Sequence, residues 1–188
     1  GGAVDGAQDL SVNAGSAGVT FVGALGSGTA VGDGTGAAIT LTTSGLVDFQ
    51  SAVSGQSGIV ADDASGSVSF AENVTLADGD TGSSFSGDVT FDGMTFSGYD
   101  GLRIDGDTTL ATSAVVLETS GGTLDINGAI SGGEDLTLGA GSGDIDIAGT
   151  IGTDGSAIGA LTINAAAEVS LDSEIYATSV TQSTAASG

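Results

Sequence analysis

The chain has no cysteine, proline, histidine or tryptophan, and Arg103 is its only basic residue against 24 acids in 188 residues. Each absence removes a class of chemistry. Without cysteine there is no disulfide, thiol nucleophile, haem attachment or thiolate metal site. Without histidine there is no imidazole acid–base group, and without lysine the many serines have no amine to activate them. A single arginine cannot track a phosphate backbone, so nucleic acid is excluded as a partner. No apolar run approaches the ~18 residues of a membrane-spanning helix, and no basic-then-apolar leader opens the chain. Membrane insertion is therefore not expected. The Gly-rich N-terminal stretch lacks the Gly-Lys pair of a phosphate loop and reads as chain corners.

What is present points to a folded chain. Glycine supplies 35 residues and the formal charge is −23, yet 39% of the residues are hydrophobic and the mean hydropathy is +0.32. A disordered chain has the reverse balance, and this length suffices for one substantial core. Apolar and polar residues alternate in short pieces: Leu10-Ser-Val12, Val19-Thr-Phe21, Ile39-Thr-Leu41, Val68-Ser-Phe70, Val89-Thr-Phe91, Leu124-Asp-Ile126, Leu136-Thr-Leu138 and Leu161-Thr-Ile163. Each places two apolar side chains on one face of a strand. Seven Asp-Gly pairs lie among the intervening clusters, at Asp5, Asp33, Asp78, Asp92, Asp100, Asp105 and Asp154. Such residues accept the positive φ of sharp corners. The pattern predicts an all-β chain of very short strands.

A longer motif places apolar residues at 0, +2 and +6: Val19, Phe21, Leu25; Val47, Phe49, Val53; Val68, Phe70, Val74; Leu124, Ile126, Ile130; Ile145, Ile147, Ile151; and Val169, Leu171, Ile175. Starts lie 28 and 21, then 21 and 24, residues apart. Units of that size with elastic corners predict coils that stack because none buries its apolar face alone. One solenoid of roughly eight turns over residues 1–188 follows, about 40 Å long at ~4.8 Å per turn. On this reading Val19, Val47, Val68, Leu124, Ile145 and Val169 stack on one parallel sheet. Tandem β-sandwich domains, with antiparallel hairpins, are the alternative fold.

The chain also matches itself. Residues 2–26 align without gaps on 128–152, with ten of 25 positions identical, and 39–53 align on 161–175. Together 2–53 match 128–175, one long repeat of about 125 residues and the start of the next. With an opening at Gly1 and a close at Ser187-Gly188, this reads as an excerpt of a longer repetitive parent. The motif fails over 92–118, where Thr95-Phe96, Leu102-Arg-Ile104, Leu110 and Val115-Val-Leu117 read as strands of one long turn or of two short ones.

The stretch from Asp9-Leu-Ser-Val12 to Ala14-Gly15, the stretch from Gly121 to Asn127, and Leu161-Thr-Ile-Asn164 resemble the repeats of very large bacterial surface proteins of the filamentous-haemagglutinin-like adhesin type. The resemblance implies a right-handed parallel β-helix, a bacterial cell-surface or extracellular location, and a structural role as fibre, stalk or adhesive surface. Other copies or neighbouring repeats, and a cell-surface or carbohydrate target, would be its partners. Nothing here matches that family's secretion domain, and its repeats have no catalytic motif to carry over. No enzyme activity and no required cofactor are expected.

Calcium is the one candidate ligand by residue type. Acids pair closely at Asp62 and Asp63, Asp78 and Asp80, Asp105 and Asp107, and Asp144 and Asp146. On a strand, i and i+2 carboxylates point the same way, and hard cations take several oxygens. The spacings match neither the Asp-x-Asp-x-Asp-Gly loop nor the calcium-binding nonapeptide, and the same residues serve equally as turn-formers and solvated faces. Arg103, near Tyr99, Asp100, Asp105 and Asp107, either neutralises its neighbours or belongs to a β-helix enzyme acting on an acidic polysaccharide by lyase or hydrolase chemistry, and a groove converging on it would favour the enzyme. Strand-centre threonines (Thr20, Thr40, Thr75, Thr90, Thr137 and Thr162) share no single motif position, as an ice-binding face would require. Asn73-Val-Thr75 fits the glycosylation triplet. Phe21, Phe49, Phe70, Phe91 and Phe96 are read as core.

Overall fold

The apolar–polar–apolar pieces become strands of two to six residues, separated by corners rich in Gly, Ser and Asp. In a computed structural model, which describes residues 2–43, 45–62 and 66–183, these strands wind into a parallel β-solenoid with three sheets. The first sheet stacks β1 (Leu10–Val12), β3 (Ile39–Leu41), β6 (Ile59–Ala61), β9 (Ser83–Phe85), β12 (Leu102–Ile104), β15 (Leu124–Ile126), β18 (Ile145–Ile147) and β20 (Val169–Leu171). The second stacks β2 (Val19–Phe21), β4 (Val47–Phe49), β7 (Val68–Phe70), β10 (Val89–Asp92), β13 (Thr108–Ala111) and β16 (Ile130–Ser131). The third stacks β5 (Val53–Gly55), β8 (Val74–Leu76), β11 (Thr95–Gly98), β14 (Val115–Thr119), β17 (Leu136–Gly139), β19 (Ile158–Ile163) and β21 (Ala177–Gln182).

All pairings between these strands are parallel, which excludes the sandwich alternative, and no helix occurs among the described residues. The sheets make about seven turns, and isolated parallel bridges at Ile151 and Ile175 continue the second sheet to the depth of eight strands found in the first. The roughly eight turns expected agree with that depth.

The core runs along the axis as stacked rows. On the second sheet Phe21, Phe49, Phe70 and Phe91 lie in register, with ring centroids 4.9, 5.0 and 5.9 Å apart and planes within 11°. Phe85 from the first sheet and Phe96 from the third meet Phe70 edge-on, each at 5.8 Å. Burying each such ring contributes about 1.5–3 kcal/mol, and each ring pair about 0.5–1.5 kcal/mol more. Cohesion is thus strongest midway along the axis. Phe85, which lies outside the motif, is fully buried.

Glycines set the corners. Between the first and second sheets Gly87, Gly106, Gly128 and Gly149 stack so closely that a Cβ on Gly106, Gly128 or Gly149 would stand 2.4, 2.1 or 1.9 Å from the backbone of the glycine in the preceding coil. Only the residue without a side chain lets coils meet there at strand spacing.

The single-row expectation is overturned. Val19, Val47 and Val68 stack on the second sheet, whereas Leu124, Ile145 and Val169 stack on the first. The reason is local: the motif records one strand, a three-residue corner and the first inward residue of the next strand. That grammar recurs at more than one corner, so it does not name a sheet. The matched residues of the long repeat are displaced in the same way. Leu10 and Val19 lie on the first and second sheets, but their partners Leu136 and Ile145 lie on the third and first.

The ambiguous stretch is one turn. β11 and β14 are neighbours on the third sheet, with Thr95 opposite Val116. Between them the chain visits the first sheet as β12 and the second as β13. Leu102 and Ile104 do obey the motif's first two positions, but its +6 position is Thr108, a polar residue in an otherwise aliphatic inner row.

Candidate functional site

Register on the first sheet brings together residues that sequence spacing keeps apart. The outward centre positions of β9, β12, β15 and β18 are Ser84, Arg103, Asp125 and Asp146, one above another. Around Arg103 an open groove of about 510 Å³ is lined by Ser84, Arg103 and Asp125 from three strands and by Asp100 and Thr123 from the corners. The depression is shallow and open to solvent along the sheet face.

The arginine is bound on one side. Its Nε and one terminal nitrogen donate to Asp105 Oδ1 at 3.0 and 2.9 Å, and Nε lies 3.9 Å from Asp125 Oδ2. The hydrogen bond from Arg103 holds the Asp105 carboxyl below the usual carboxylate range, and that bond also raises the guanidinium. Asp125 moves the other way. Burial is the main cause, the charge of Asp146 adds to it, and Arg103 offsets them in part. Two carboxylates beside one cation thus titrate apart, because one is hydrogen-bonded in solvent and the other is half-buried beneath its neighbours.

The acid pairs singled out from sequence have separate duties. Asp105 accepts from Arg103 and from Asn127 Nδ2 at 2.9 Å, while Asp107 Oδ1 accepts from the backbone N–H of Ala129 at 2.9 Å, one coil on. Asp80 Oδ1 accepts from Gly36 N, and Asp144 Oδ1 from Glu168 N at 3.1 Å. Asp78 is exposed on the same corner as Asp80, and Asp146 lies exposed in the row above Asp125. Asp62 accepts from Ser84 Oγ; Asp63 lies outside the described residues. No three acidic side chains gather into a metal-holding group among the described residues.

The recurring arrangement is a clamp between coils. Asp5, Asp88, Asp100 and Asp135 also accept from backbone N–H groups of adjacent coils, at Gly28, Asp107, Gly79 and Ala160. Asn73 does the same for Thr95 N at 2.9 Å, so the side chain of the glycosylation triplet is engaged in the corner. The carboxylate bonds are charge-assisted, and those to Gly28, Gly79 and Asp107 engage corner amides. The strand-centre threonines are spread over all three sheets, and of the six only Thr137 and Thr162 stack on one another.

Sequence spacing identified Arg103 but missed Ser84, Thr123 and Asp125. They lie about one coil away in sequence, and only the strand register joins them. The chain matches no known protein family, no curated protein and no solved structure. No helix among the described residues is long and apolar enough to cross a membrane.

Proposed function

We propose that this chain is a structural segment of a secreted bacterial surface fibre or adhesin stalk, and that its ends stack on further coils of the same kind. It supplies length and stiffness, catalyses nothing and requires no cofactor; cations act on it by screening.

One observation carries the reading. The first coil has the chemistry of an interior coil without the cover of one. Val4 is 43% exposed and Leu10, Val12, Val19 and Phe21 are half-buried, while their matched residues Ile130, Leu136, Leu138, Ile145 and Ile147 are at most 1% exposed. The inner rows of this coil carry no charge, as in an interior coil, so they fit burial under further coils of the same kind, in the same chain or in another copy. Contact between opposite ends of two copies is head-to-tail and does not close on itself, so it builds filaments rather than dimers.

Sedimentation at rising concentration, with electron microscopy of the same samples, tests this. End-to-end rods that lengthen with concentration are expected, and Phe21→Glu should abolish them. A chain that stays monomeric throughout, or rods unaffected by Phe21→Glu, overturns it.

A further inference from the structure

We propose that the groove at Arg103 is a binding site for a short neutral saccharide. The site does not depend on end stacking, since it lies on the side of the first sheet.

Its volume of about 510 Å³ belongs to a shallow depression open to solvent, so a ligand there keeps one face in water, as a surface-bound saccharide does. The lining mixes polar and apolar surface in about equal parts: the side chains of Ser84, Thr123, Asp100, Asp125 and Arg103 stand around Gly101 and Leu102, and no aromatic ring takes part. Carboxylates accept from sugar hydroxyls, and a guanidinium donates to them. Arg103 keeps a terminal nitrogen beyond the two that bind Asp105, and the 3.9 Å separation of Nε from Asp125 is too long for a hydrogen bond. Both groups therefore retain capacity for a ligand. Successive donor and acceptor positions rise at the strand spacing of ~4.8 Å, close to the width of a pyranose ring.

Charge selects the class. With a net charge of −23 and both Asp105 and Asp125 beside the arginine, a uronate or sulfated sugar is repelled. No group of three acidic side chains suited to a metal gathers there among the described residues. A neutral polyol meets neither obstacle. Without an aromatic platform the affinity is weak, and useful attachment comes from many copies in a row.

The sole arginine gives one Nε–H signal in a 15N correlation spectrum, so the test reads the site directly. The intact chain is titrated with manno-, gluco- and galacto-trisaccharides, with trigalacturonate and calcium chloride alongside. At least one neutral sugar should shift the Arg103 Nε and Thr123 amide signals saturably, with a millimolar dissociation constant. Asp125→Asn, its core amide pattern unchanged, should weaken that binding at least about tenfold, the loss of one charge-assisted hydrogen bond. The proposal is overturned if no neutral sugar gives a saturable shift, if only trigalacturonate or calcium does, or if Asp125→Asn binds as before. Cleavage of the bound sugar would overturn the non-catalytic reading and leave the site standing.

Discussion

Replacing Thr108 with valine should make this protein more stable. Thr108 sits in the inner row of the second sheet, between Val89 on one side and Ile130 on the other, and is fully buried. Its Oγ1 is the one buried side-chain polar atom without a hydrogen-bond partner among the described residues. An unpaired buried hydroxyl costs about 1–3 kcal/mol. Valine has nearly the same volume and the same β-branch, so Thr108→Val removes the cost while preserving the packing and the strand preference. For a chain of this size 1 kcal/mol corresponds to roughly 2–4 °C, so Tm should rise by about 2–12 °C in a thermal melt followed by circular dichroism. The reverse change one coil below, Val89→Thr, should lower Tm by a similar amount. An unchanged or lower Tm for Thr108→Val would show that the hydroxyl is satisfied in solution and refute the reasoning.

The other expectations rest on separate features. Gly128→Ala puts a Cβ 2.1 Å from the Gly106 carbonyl oxygen and should cost about 1–3 kcal/mol or more, whereas Gly133→Ala, with open space around it, should be nearly neutral in urea denaturation. With one base against 24 acids, Tm should rise as sodium chloride shortens the Debye length from about 30 Å at 0.01 M to about 3 Å at 1 M; a Tm independent of salt would contradict the self-repulsion. Folding raises the Asp125 pKa, so its ionisation opposes the fold at neutral pH and ceases to do so below its unfolded value. Asp125→Asn should therefore be more stable than the parent near pH 7, with the difference vanishing as pH falls through the carboxylate range; a difference that persists in acid would sink the assignment.

Much of the fold was legible because the solenoid repeats one local rule. Alternation in pieces such as Val68-Ser-Phe70 gave the strands, and the spacing of the motif gave the coil length. The sheet to which each strand belongs was not legible. Val19 and Leu124 open identical motifs at different corners, and only hydrogen-bonded register distinguishes them. Thr108 concealed the turn over 92–118 because a polar residue occupies the +6 position, and its unpaired hydroxyl is the physical trace of that substitution. The groove was half legible. A lone arginine in so acidic a chain draws notice, but Ser84 and Asp125 reach it through strand stacking alone. Of the paired aspartates read as candidate calcium ligands, Asp105 and Asp107 both reach the next coil, to Asn127 and Ala129, a contact that spacing alone does not reveal.

The displacement of the long repeat by one sheet gives the unit a rotation. Five steps up the second sheet from Val19, through Val47, Val68, Val89 and Thr108, reach Ile130. The matched residue Ile145 comes two sheets later, on β18. One unit therefore advances five and two-thirds turns, and a row of such units is a three-fold screw. A surface feature carried once per unit, such as the groove at Arg103, would face three directions in succession and repeat its orientation every third unit. A fibre built this way has no blind side: whatever direction a target approaches from, a third of the sites already face it.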